Sequence, residues 1–66
     1  MSSVGEDFPN ELHRVKELLT IYRELGPTGA FGAIMIQQVI YRAEKAWANQ
    51  DVVEILRAYQ ELKDCK

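Results

Sequence analysis

Two short breaks divide this chain into three stretches, and in each stretch the apolar residues recur at steps of three and four. The first break is Gly26-Pro27. Glycine takes the left-handed conformation that closes a helix, and proline cannot continue one. The second is Asn49-Gln50 with Asp51 after it. Asp51 is a good helix N-cap, and Glu54 stands three residues later, as a capping-box partner does. Before the first break, Leu12, Val15, Leu18, Leu19, Tyr22 and Leu25 make one apolar stripe, with Glu11, Arg14, Lys16, Glu17, Arg23 and Glu24 around the rest of the helix. After the second, Val52, Ile55, Leu56, Tyr59 and Leu62 make another. Such spacing places the apolar residues on one helical face. The pattern predicts an all-α fold: a small three-helix domain with helices at about 9–25, 29–48 and 52–63, the second and third forming a hairpin. Residues 1–8 read as a flexible N-terminal tail and residues 9–66 as a single helical domain. At the junction, Phe8 before Pro9 is expected to be extended, with Pro9 or Asn10 opening the first helix. Thr28 is the expected cap of the second.

The middle stretch breaks the amphipathic rule. Ala30 to Ile36 runs without a polar side chain and covers every direction around a helix axis, whereas one partner helix needs only part of that circumference. Ile36, Val39, Ile40, Ala43 and Trp47 then form an orderly stripe. The β-branched Ile34, Ile36, Val39 and Ile40 also suit a buried strand. If the stretch is helical, Phe31, Ile34 and Met35 point away from that stripe. Together with Gln38, Tyr41 and Trp47 they are the candidate interaction surface. Exposed apolar patches of this kind mark interfaces. The expected occupant is a second copy, giving a homodimer, or else a different protein. The alternative is that Phe31 and Met35 fold under the first helix and close the core within one chain.

Size points the same way. A domain of 66 residues buries only roughly 60% of the surface its unfolded chain exposes, and chains this small lean on disulfides, a metal or a second subunit. One Cys and one His supply neither of the first two. Cys65 without a mate also suggests a cytoplasmic protein. No 18-residue apolar run spans a membrane, and the acidic start of the chain is unlike a signal peptide.

Catalytic chemistry has little to work with. A nucleophilic triad needs a nucleophile, a His and an orienting acid in one place. His13 falls on the outer face of the first helix, Cys65 stands next to the last residue, and Ser2 and Ser3 lie in the tail. No metal-binding spacing, calcium loop or phosphate-binding loop is present, so the expectation is no enzyme activity, no metal and no cofactor. Eight basic against ten acidic residues, a formal charge of -2, disfavours nucleic acid, since phosphate binding draws on excess Lys and Arg.

Three local resemblances add expectations. Leu25, Gly29, Ala33 and Ile36, spanning the Gly26–Gly32 turn, resemble the helix-hairpin-helix DNA-binding motif. Pro27 replaces a hairpin glycine and Phe31 a basic residue; the resemblance implies nucleic-acid binding as an alternative function. Gly26-x-x-Gly29 also matches the backbone clamp of KH domains, without the sheet that surrounds it there. Ala43 to Leu62 is similar to the core of a tetratricopeptide repeat, lacking the turn glycine before Asp51; a generic helical hairpin gives the same pattern. Over Phe31–Ala46 and Asp51–Lys63 the chain resembles short helical accessory proteins of enterobacterial phages and prophages. That resemblance implies no activity or site residues, but a role through contact with a host or phage protein.

Overall fold

A computed structural model describes residues 3–66, which form three helices and one short turn of 3-10 helix. The helices are α1 (Val4–Glu24), α2 (Ala30–Asn49) and α3 (Val52–Asp64), with the 3-10 turn at Gly26–Gly29. No strand occurs among the described residues, so the β-branched run of α2 is helical. The three-helix architecture and the hairpin of α2 with α3 are those the periodicity predicts.

The start of α1 is a correction. The expected tail reaches only to Ser3 at most; Val4 to Phe8 are helical, and Met1 and Ser2 lie outside the described residues. Ser3 is the N-cap, its hydroxyl accepting from the Glu6 amide at 3.3 Å, and Glu6 and Asp7 place negative charge at the positive end of the helix. Pro9 therefore sits inside α1 instead of opening it. It removes one helical donor, a cost offset by the burial of its neighbour. Phe8 is only 1% exposed and stacks on Trp47, with centroids 4.9 Å apart and planes at 17°. Tyr59 flanks it at 6.5 Å.

The contacts fix the register. Phe8 against Trp47 and Lys16 against Glu44 (3.0 Å) set α1 antiparallel to α2. Tyr59 bonded to Asp7 (2.5 Å) and Arg14 bonded to the Leu62 carbonyl (2.7 Å) set α1 parallel to α3. The core between them is Phe8, Val15, Leu19, Ala33, Ile36, Ile40, Ala43, Ala46, Ala58 and Leu62. Arg14, expected on the solvated face, reaches across to α3. It donates to the carbonyls of Leu62 and Cys65 (2.9 Å) at the C-terminal end of α3, where the Leu62 carbonyl also accepts from the Cys65 amide at 3.2 Å.

The two breaks work as the sequence implies, with one change. Gly26 has φ +67° in the left-handed region, and Gln50 closes α2 at φ 54°. Asp51 caps α3, its carboxylate accepting from the Glu54 amide at 3.3 Å. Thr28, however, lies within the 3-10 turn, and the cap position of α2 is Gly29, with no side-chain cap. Gly29 presses against the Tyr22 carbonyl, where a Cβ has no room.

Candidate interaction surface

The outward face of α2 is apolar in its first half and basic in its second. Its core-facing residues are Ala33, Ile36, Ile40, Ala43 and Ala46. At about 100° per residue, Phe31, Ile34, Gln38, Tyr41 and Lys45 fall on the opposite side. The structure leaves Phe31 77%, Ile34 56%, Met35 48% and Tyr41 65% exposed, and Gln38 is exposed with them. Phe31 and Met35 therefore do not close the core beneath α1. Ile34, Gln37, Gln38, Tyr41 and Arg42 line an open groove of about 580 Å³ at the centre of this face.

Helix lengths explain part of this exposure. α2 has 20 residues and α3 has 13, a difference of about 10 Å at 1.5 Å per residue. The two helices meet at the Asn49–Asp51 turn, so α3 stops before it can cover the first turns of α2. Ile21 and Leu25, near the end of α1, are likewise exposed. One side chain bridges the uncovered region. The Tyr22 ring lies against Gly32, where a Cβ would stand 2.5 Å from its Cε2 atom, and its hydroxyl donates to the Lys66 carbonyl at 2.9 Å.

Trp47 stands apart from the other five candidates. It is sixteen positions beyond Phe31, roughly 160° around the helix, and its ring is taken up by Phe8. It remains 37% exposed at the end of the bundle where α2 turns into α3. There the structure reveals a second apolar group, Val52, Val53 and Leu56, all exposed. The sequence stripe had assigned Val52 and Leu56 to the core. Instead α3 presents Ala58 and Leu62 inward, with Ile55 and Tyr59 half-buried. The adjacent pair Val52-Val53 carried the signal, since neighbours about 100° apart cannot both face one narrow seam.

Charged side chains join the helices. The Arg42 guanidinium donates twice to Glu61, at 2.8 and 3.2 Å, joining α2 to α3. The Glu61 carboxylate raises the Arg42 pKa through this bond. His13 is exposed and lies 2.7 Å from Glu17 one turn away. The Cys65 thiol donates to the Glu61 carbonyl at 3.4 Å, and burial pushes its pKa up, away from the thiolate that nucleophilic chemistry requires. Among the described residues no three His, Cys, Asp or Glu side chains gather as metal ligands. No described helix is long and apolar enough to cross a membrane.

The Gly26–Gly32 turn itself holds no Lys or Arg; the nearest in the chain are Arg23 and Arg42. Comparison with protein-family models, with curated proteins and with solved structures gives no match.

Proposed function

We propose that this is a non-enzymatic protein-interaction module that self-associates through the outward face of α2. The observation that supports it is the set Phe31, Ile34, Met35 and Tyr41, exposed together on one helix of a small domain. Two-fold association covers that face on both copies at once, because the same patch serves each side. It also stabilises the fold by mass action, and a domain this small is only marginally stable alone. The free Cys65 fits a reducing compartment such as the cytoplasm.

A partner of another kind has its own surface on this reading. Trp47, Val52, Val53 and Leu56 lie at the α2–α3 turn and stay uncovered when α2 pairs. An accessory or regulatory role, as the phage-protein resemblance implies, would be carried there by contact with a second protein.

Ile34→Glu tests the self-association. Ile34 is more than half exposed, so the variant should keep the helical circular dichroism of the wild type while losing its dimeric mass. A folded variant with unchanged dimeric mass removes the α2 face from the account.

A further inference from the structure

We propose that the two copies pair with their α2 helices antiparallel and the two Gln38 side chains meeting on the two-fold axis. This rests on the self-association proposed above and specifies its geometry. Phe31, Ile34, Gln38, Tyr41 and Lys45 follow one another at alternating steps of three and four, the spacing of a helix-pairing seam. All five are exposed. The groove beside Gln38 gives the middle of the seam a concave surface that side chains of a second helix can enter.

The face approaches the area of a specific interface. Phe31 and Tyr41, 77% and 65% exposed, are side chains of about 150–250 Å² each, so the two hold roughly 200–350 Å² of open surface. Ile34, Met35, Gln38, Arg42 and Lys45 extend the face towards the roughly 600–800 Å² per partner that specific interfaces bury.

Charge and hydrogen bonding select the direction. A parallel pair would set Lys45 against Lys45 with no acid on the seam, and Lys45 has no ion-pair partner among the described residues. The antiparallel pair centred on Gln38 moves the two ammonium groups about 21 Å apart along the axis, well beyond the Debye length of about 8 Å. It brings each Lys45 to Phe31 of the second copy, where an ammonium over an aromatic face is favourable. Gln38 carries both donor and acceptor, so two symmetry-related amides satisfy each other. A polar residue at one seam position also sets register: sliding by one turn in one direction would set each Gln38 against Ile34.

Cysteine cross-linking in a Cys65→Ser background tests the arrangement. Under mild oxidation Gln38→Cys alone should pass almost completely to covalent dimer, because its two Cα atoms lie near the axis and within disulfide reach. Phe31→Cys alone should not, whereas Phe31→Cys mixed with Lys45→Cys should give the mixed dimer. Self-linking of Phe31→Cys and of Lys45→Cys would show a parallel pair and overturn the proposal while leaving self-association intact. A dimeric mass with no linkage at any of the three positions would also overturn it, placing the contact on another face. A monomeric mass for the wild type would remove both readings.

Discussion

Phe8→Ala should remove a third or more of the domain's stability, although the sequence pattern assigned Phe8 to a tail. Its ring is 1% exposed and lies between Trp47 at 4.9 Å and Tyr59 at 6.5 Å. Truncating a buried Phe costs about 3–5 kcal/mol, combining lost transfer free energy with the cavity left behind. A domain of 66 residues, at roughly 0.05–0.15 kcal/mol per residue, has about 3–10 kcal/mol in total. The variant should therefore lose between a third and all of its stability. Urea unfolding at one fixed protein concentration, followed by far-ultraviolet circular dichroism, measures the loss. Trp47 is the one tryptophan, and its fluorescence reports the same site as the stack is removed. A loss under about 1 kcal/mol, the size of an ordinary point substitution, would show that Val4–Phe8 are not docked on the bundle.

Gly26→Ala should cost about 1 kcal/mol, the price of a left-handed conformation for a residue with a Cβ: Gly26 has φ +67° with open space around it, so the backbone alone decides the effect in the same unfolding assay. Cys65 should react with a thiol reagent more slowly in the folded protein than in urea at neutral pH, because burial raises its pKa; equal rates would contradict that burial. Tyr59 titrates above its ordinary value of 10.0, chiefly because its hydroxyl donates to Asp7, with burial adding to the effect. A group whose folded pKa is raised contributes stability that is present below the unfolded pKa and lost as pH rises through the folded one. Stability should therefore fall above about pH 10, and less steeply in Tyr59→Phe; parallel profiles would count against the Tyr59–Asp7 bond.

The helices were legible because their signals are local. Apolar steps of three and four, Gly26-Pro27 and the Asp51 cap each depend on a few neighbouring residues, and all three appear where the pattern puts them. The start of α1 lies upstream of Phe8-Pro9, and its local signal is Ser3-x-x-Glu6, a capping signature. Pro9 is tolerated there because Phe8 gains a site built from Trp47 and Tyr59, residues 39 and 51 positions away in the chain. The rotation of α3 was hidden for a related reason: Ala58, too small to stand out in an apolar count, is the residue that faces the core. Of the candidate surface, the outward run on α2 followed from periodicity alone. The separation of Trp47 from it is likewise a matter of helical angle, and Val52-Val53 signals the companion patch, whereas the stacking of Phe8 on Trp47 required knowing where α1 begins.

Self-association is tested most directly by absolute mass in solution, read by light scattering on a sizing column over a dilution series under reducing conditions. About twice 7.6 kDa at high concentration, falling towards the single-chain mass only on strong dilution, is the predicted result. A mass of one chain at every concentration, with the helical spectrum intact, would contradict the account and leave Phe31, Ile34 and Tyr41 facing water.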